Sequence, residues 1–217
     1  MTATPHHDRG TSVLIVGRSP SVLEDAVAML RSRGISAGAT NDYDRALDGG
    51  GPTPDVLVLG GAVPPATKEL LTAELQRRNP AARVLLGLVG IAEVVAAQVE
   101  AEVEGTPSSQ VAYDAAEGAV VIDLDRSAHV AVDAFWATSL TPPQPTSTGT
   151  QVLAADLAPG RHRVPLPDGL PDSAAFAVVR VDDRVAVLTL AAVPDLQLAP
   201  GALPPVRPVT LRAGSLS

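Results

Sequence analysis

The chain has no cysteine and very few aromatic residues, and both shortages exclude whole classes of function. Without cysteine there are no disulfides, no thiolate catalysis and no cysteine-ligated zinc or iron–sulfur sites. Aromatic residues make up 2% of the 217 residues, so the cores must consist of Val, Leu, Ile and Ala. Platforms on which bases or sugars could stack are correspondingly scarce.

Positive charge is also scarce, because 16 Lys and Arg face 24 Asp and Glu, for a net charge of -8. Nucleic acids and anionic membrane surfaces select basic proteins, so neither is expected as a partner. Lys68 is the single lysine, and the preference for Arg, Ala, Val, Gly and Pro is typical of a high-GC genome such as an actinobacterium's. No apolar run reaches the length of a membrane span, and Met1–Gly10 lacks the apolar run of a signal peptide, which predicts a cytoplasmic protein.

The first half of the chain alternates strand and helix patterns. Short β-branched runs are typical of strands covered on both faces, and apolar residues at helical spacing follow them. This alternation requires a parallel sheet, so we predict an α/β domain with a flavodoxin-like strand order of 2-1-3-4. On the last helix, Glu100, Glu102 and Glu104 are expected to face water. The predicted strands are Ser12–Val16, Ile35–Thr40, Val56–Leu59 and Val84–Leu88, and the predicted helices are Ser19–Gly34, Asp42–Leu47, Thr67–Arg78 and Ile91–Glu104.

After residue 104 the pattern becomes that of an all-β domain. Gly105–Ser109 has linker composition, and short alternating runs separated by Pro, Gly and Asp turns extend from Gln110 to Leu190. We predict an antiparallel β-sandwich-like domain, with a small barrel as the alternative. The Pro-rich segment 194–217 is expected to be extended, either free or against a partner. The predicted organisation is therefore residues 1–104, residues 110–193 and a tail of residues 194–217.

Several segments of the first half together resemble the receiver domains of response regulators. They are Val13–Gly17, Thr40–Leu47 and Pro54–Leu59, and Arg77–Leu85 resembles the family's run from a helix into the fourth strand. Their order and spacing carry the resemblance, which covers only the α/β half. It implies a truncated receiver, because the β-rich pattern begins where the fifth strand and helix of the family would stand.

The resemblance also implies that the receiver's chemistry is missing. A receiver holds a divalent cation with two acidic residues after its first strand and an aspartate after its third, and that aspartate accepts the phosphoryl group. The corresponding positions are Gly17, Arg18 and Gly60, the position of the phosphate-sensing hydroxyl falls near Gly87, and Lys68 lies on the helix after the third strand. Without carboxylates a hard cation has no oxygen ligands and no acyl phosphate can form. The implied domain is a phosphorylation-incompetent pseudo-receiver.

The candidate ligand-binding residues are Gly17, Arg18 and Ser19 after the first strand, with Gly60 and Gly61 after the third. A dinucleotide fingerprint needs several glycines, and a nucleophile elbow needs a glycine where this chain has Ser21. An anion could bind Arg18 beside a helix N-terminus, and an ordinary turn is the alternative. No catalytic residue, metal or cofactor is predicted, since the four histidines lack close ligand spacing: His6 and His7 lie at the terminus, and His129 and His162 on strands.

The sequence therefore favours a non-catalytic regulatory or scaffolding protein that acts through protein–protein contacts. A homodimer is the simplest assembly, because a four-stranded parallel sheet ending at the fourth strand has an open edge. One alternative is a small-ligand or nucleotide-binding protein that uses the strand ends near Gly17 and Gly60. Another is an enzyme on a degenerate Rossmann-like scaffold. Phe135, Trp136 and Phe176 are expected in the core of the β domain, whereas an exposed Trp136 would indicate a binding platform.

Overall fold

The computed structural model describes residues 10–47, 53–87, 90–139, 144–193 and 204–213. The first half contains β1 (Ser12–Val16), α1 (Pro20–Ser32), β2 (Ser36–Thr40), β3 (Val56–Leu59), α2 (Pro65–Arg78), β4 (Arg83–Leu86) and α3 (Ala92–Glu104). The rest contains β5 (Gln110–Asp114), β6 (Ala119–Leu124), β7 (Ala128–Ser139), β8 (Thr146–Leu157), β9 (Gly160–Pro165), β10 (Ala175–Val181), β11 (Arg184–Ala191) and β12 (Thr210–Leu211). No helix in these ranges is long and apolar enough to cross a membrane.

The first half forms a mostly parallel sheet with the strand order β12-β2-β1-β3-β4. Strands β2, β1, β3 and β4 are parallel, as their apolar runs predict, and β12 joins antiparallel at the β2 edge. The remaining strands form two antiparallel sheets, of order β11-β10-β7-β8 and β5-β6-β9. The predicted combination of an α/β part with an all-β part is therefore confirmed.

Helix α1 begins and ends where its sequence predicts. Pro20 occupies the first turn, where its missing N–H costs nothing, and Gly34 follows the helix with a φ of 79°. Its buried face includes Leu23, Val27 and Leu30, which pack against the sheet and α3. Helix α2 packs on the opposite face through Leu71 and Leu75 and starts at Pro65, two residues before the predicted Thr67.

The predicted short helix from Asp42 to Leu47 is not formed. Residues 44–47 make a turn, and Tyr43 and Leu47 pack without helical structure onto the cluster below α2. A segment of this length fixes many backbone torsions for one or two hydrogen bonds, so it needs tertiary support to become helical. The predicted end of the fourth strand at Leu88 lies outside the described residues, and β4 ends at Leu86.

Helix α3 is buried on two sides because it lies between the two parts of the molecule. One side packs against α1 through Val95, Ala96 and Val99. The other side packs against β10 and β11 through residues that include Ile91 and Val94. The β-rich part therefore docks on the α/β part through a helix that belongs to the α/β part.

The expectation that Glu100 faces water is wrong, although Glu104 is exposed. Glu100 is 2% exposed and forms ion pairs with Arg33, at the end of α1, and Arg180, on β10. Arg180 also lies 3.7 Å from Asp133 of β7. Burial raises the pKa of Asp133 and lowers the pKa values of Arg33 and Arg180, so desolvation outweighs pairing for these groups. The sequence pattern missed this network because β10 covers a face of α3 that would otherwise meet solvent.

The two antiparallel sheets share one apolar core. Val120 and Ile122 of β6 meet Val130 and Val132 of β7 and Val179 of β10 in it. Neighbouring residues on β10 alternate in direction, so Phe176 and Val178 lie on the opposite face, toward α3. Phe176 is thus buried between the two parts of the molecule rather than between the two β-sheets. Phe135 is partly buried beside it, and Trp136 is half-buried rather than fully enclosed.

Candidate functional site

Three glycines pack together at the carboxyl ends of β1, β3 and β4. A Cβ on Gly60 would lie 3.3 Å from the Cα of Gly17, and a Cβ on Gly87 would lie 3.5 Å from the Cα of Gly60. Their amides extend the sheet: Gly17 donates to Thr40 at 3.2 Å, Gly60 to Val16 at 2.8 Å, and Gly87 to Leu59 at 2.9 Å. These N–H groups are therefore used within the fold and do not form an anion cradle.

This arrangement leaves no carboxylate at the positions where the resemblance places a receiver's metal ligands. Within the described ranges, no three His, Cys, Asp or Glu side chains lie close enough together to hold a metal ion. A Cβ on Gly60 would also lie 3.3 Å from the carbonyl oxygen of Val16, tighter than most real contacts. Any side chain at position 60 would thus need a small shift of the adjacent backbone.

Arg18, which follows this glycine cluster, faces a cleft. The cleft has a volume of about 290 Å³, just below the usual range for ligand pockets. The guanidinium group of Arg18 donates a hydrogen bond to the carbonyl of Pro204. Burial raises the pKa of Tyr43, which also lines the cleft, and the nearby Arg18 opposes that shift. The lining residues are Arg18, Asn41, Tyr43, Ala62, Pro64, Pro204, Pro205 and Val206.

Ser19 occupies the N-cap position of α1, as predicted, but its side chain makes no capping hydrogen bond, and none of its hydrogen-bond partners is a histidine. Its hydroxyl lies 3.3 Å from that of Ser21 and donates to Gln144 Oε1 at 3.4 Å. Pro145, the next residue, packs directly against Gly90. The segment before β8 therefore contacts the start of α1. Gly61 stands apart from the glycine cluster, is exposed, and accepts a hydrogen bond from Lys68 through its carbonyl at 3.4 Å. Neither Ser19 nor Gly61 lines the cleft.

The two described histidines make local contacts on the β-sheets. His129 Nδ1 lies 2.9 Å from Asp156 Oδ1, and His162 Nε2 lies 2.7 Å from the carbonyl of Ala158. Neither contact includes a serine or threonine hydroxyl. His6 and His7 lie outside the described residues. Serine–histidine–aspartate chemistry has no support in the part of the chain that the structure describes.

Sequence reasoning missed seven of the eight residues that line the cleft, among them Asn41, Tyr43 and the segment from Pro204 to Val206. Asn41 follows β2 directly, so the rule that ligands bind at the carboxyl ends of parallel strands could have identified it. No local signal places the tail there, because its position depends on a strand pairing distant in sequence. Of the five candidate residues, only Arg18 lines the cleft.

In comparisons with models of protein families and with curated proteins, this chain matches no family and no individual protein.

Proposed function

We propose that this protein is a non-catalytic regulatory or scaffolding protein that acts through protein–protein contacts, with a phosphorylation-incompetent receiver-like domain of flavodoxin-like type. The observation that carries the proposal is the packing of Gly17, Gly60 and Gly87 at the strand ends. A receiver needs carboxylate oxygens at these strand ends, whereas in this chain the backbones of the three glycines pack against one another there. The predicted truncation after α3 also supports the proposal, because β10 and β11 pack on that helix.

The intact chain is expected to acquire no phosphoryl group when incubated with acetyl phosphate and Mg²⁺. The reason is that residues 17, 18 and 60 supply neither an acceptor aspartate nor carboxylate ligands for the cation. Intact-mass spectrometry checks this, with a phosphorylation-competent receiver domain as the positive control. Stoichiometric labelling of an aspartate in residues 10–104 would contradict the proposal.

The chain is also expected to form a homodimer through the outer edge of β4. This strand ends the sheet, and Leu86 on it is 66% exposed. Open strand edges are usually paired or covered. Light scattering at micromolar concentration should therefore give the dimer mass, and Leu86→Glu should give the monomer.

Leu70→Glu is the matched control for this dimer, because Leu70 is a 72% exposed leucine on α2 rather than on the strand. It should leave the dimer intact if the strand edge makes the contact. A native chain that scatters as a monomer across the micromolar range would count against the homodimer.

Protein contact itself is tested by purifying the tagged intact chain from its source organism and identifying co-purified proteins by mass spectrometry. A partner recovered in stoichiometric amount supports the proposal. Recovery of this chain alone, together with saturable binding of a small anion, favours the second candidate function.

That second candidate is a small-ligand or nucleotide-binding protein, and the cleft beside Arg18 favours it. A guanidinium group next to the start of α1 suits an anionic group. Calorimetric titration with inorganic phosphate and with ATP tests it, and Arg18→Ala should abolish any binding. The carbonyl of Pro204 already accepts from Arg18, so an anion must compete with the chain itself.

A further inference from the structure

The C-terminal residues 204–213, here called the tail segment, lie along the free edge of β2. Thr210 and Leu211 pair antiparallel with Thr40 and Ala39, and this pairing is the whole of β12. The sequence leaves open whether such a Pro-rich segment is free or bound to a partner. The structure shows it bound in cis, in the manner of a peptide that adds a strand to a sheet edge.

Most of the groups that hold the tail segment contact its main chain. The side chain of Asn41 donates to the carbonyl of Arg207 at 2.7 Å and accepts from the amide of Val209 at 2.8 Å. The Thr40 hydroxyl donates to the carbonyl of Val209 at 3.1 Å. These side chains therefore recognise an extended main chain, and their hydrogen bonds do not depend on which side chains the bound segment carries.

Two arginines of the α/β part extend this pattern to both ends of the tail segment. Arg18 donates to the carbonyl of Pro204, and Arg31 donates to the carbonyl of Arg212. Arg31 also donates to Ala37 of β2 at 3.0 Å, which fixes its guanidinium group beside the strand. The donors thus follow the edge over the whole length of the tail segment.

A smaller set of contacts selects the tail segment's side chains. Val209 is buried, and Leu211 packs against the main core of the α/β part. Arg207 forms an ion pair with Glu24 of α1. Gly38 permits the close approach, because a Cβ there would lie 2.6 Å from the carbonyl oxygen of Leu211. An occupant therefore needs a cation opposite Glu24, an aliphatic residue two positions later, and another aliphatic residue two positions after that.

We propose that the β2 edge is a binding groove for an extended partner peptide of the pattern Arg-Pro-Val-Thr-Leu, and that the tail segment is its resident occupant in cis. The strand ladder that holds the occupant is only two residues long, and its ion pair with Glu24 is exposed and therefore weak, so most of the hold comes from single hydrogen bonds and two aliphatic side chains that a partner peptide can reproduce. A partner peptide with the same features can replace it by pairing with β2. Pro204 and Pro205, shortly before the arginine, and Pro208, directly after it, restrict the free peptide toward extended conformations, which lowers the entropy lost on binding.

This inference rests on the proposed function and gives its protein contact a specific surface. The test uses the intact chain and a fluorescein-labelled peptide with the sequence of residues 204–213. In the variant Arg207→Glu, Glu24 repels the cis occupant, which then competes less well with the peptide for the groove. Fluorescence anisotropy should then show peptide binding about three- to tenfold tighter than to the native chain, the range expected for reversing one exposed ion pair.

Three controls keep the result specific. A peptide with glutamate at the arginine position should bind the Arg207→Glu variant more weakly than the native peptide does. Adding Gly38→Val should remove the binding, because the new side chain would meet the peptide backbone. Adding Asn41→Ala instead should weaken it by removing two main-chain hydrogen bonds, and this substitution in a half-exposed loop preserves the fold, as circular dichroism will verify.

Equal affinity of the native chain and the Arg207→Glu variant would overturn the inference, as would binding that survives both the Gly38→Val and the Asn41→Ala additions. Such a result leaves the proposed function standing if a partner still co-purifies with the chain. A partner lost from the Asn41→Ala variant and retained by an Arg126→Ala variant, which breaks an exposed ion pair with Asp182 on the β-rich part, would support the groove. Absence of any co-purified partner speaks against the proposed function alone, because the peptide assay does not depend on it.

Discussion

Replacing Phe176 by alanine is expected to lower the free energy of unfolding by about 3–5 kcal/mol, the range for deleting a buried phenylalanine ring. Phe176 is 0% exposed and heads the largest fully buried side chains of the described residues. It packs with Ile91, Val94 and Ala97 around α3, on the face of β10 that points away from the other β-sheet. The cavity would therefore open between the two parts of the molecule. Chemical denaturation monitored by circular dichroism measures the loss.

Two substitutions calibrate this result. Phe176→Leu should cost about 1.5 kcal/mol or less, because it retains most of the apolar volume. Leu70→Ala should change stability by about 0.5 kcal/mol at most, because that leucine is exposed on α2. Since the ring joins the two parts, Phe176→Ala should also expose α3 and increase proteolysis near Gly105–Ser109. A loss below about 1 kcal/mol would show that α3 and β10 are not packed as described.

Replacing Glu100 by alanine is expected to lower the free energy of unfolding by about 3 kcal/mol, near the lower limit for breaking a buried ion pair. The carboxylate is 2% exposed and forms ion pairs with both Arg33 and Arg180, which belong to different parts of the molecule. Without it, the two guanidinium groups would repel each other in a poorly hydrated space. Their partial exposure, 38% and 27%, keeps the expected loss near the lower limit.

Glu102→Ala is the matched control, two residues along the same helix. Glu102 pairs with Arg83 where both side chains meet solvent, so its removal should cost about 1 kcal/mol or less. Equal effects of the two substitutions in urea denaturation would contradict the burial of Glu100. Glu100→Gln preserves the shape but keeps only one of the two acceptor oxygens, so the stability it loses measures the charge together with one of the two arginine contacts. The buried network orients the two parts because its arginines come from α1 and β10.

Local sequence patterns were sufficient for the parallel sheet. The runs Ser12–Val16 and Val56–Leu59 direct apolar side chains to both faces of the sheet. Both runs form central strands that are covered on two sides. Such runs predict strands because only a strand with both faces covered can bury them. The absence of cysteine is likewise a property of the sequence alone, and it excludes thiol chemistry in any fold.

Other features depended on contacts between distant residues. The helical spacing of Glu100 predicts that it faces solvent. It is buried because β10 and β7 bring Arg180 and Asp133 over that face of α3. The side of β10 on which Phe176 lies is set by strand register, and alternation alone cannot say which of two apolar faces meets which neighbour.

The sequence by itself thus determined the type of each half and the absence of thiol chemistry, because these follow from local apolar periodicity and residue identity. Only the tertiary structure decided how the halves join at α3 and where the tail segment lies. Residues 204–213 carry little periodicity, and their place on β2 comes from hydrogen bonds to Asn41 and Thr40 and from the space beside Gly38. Those contacts span more than half the chain, so no local pattern encodes them.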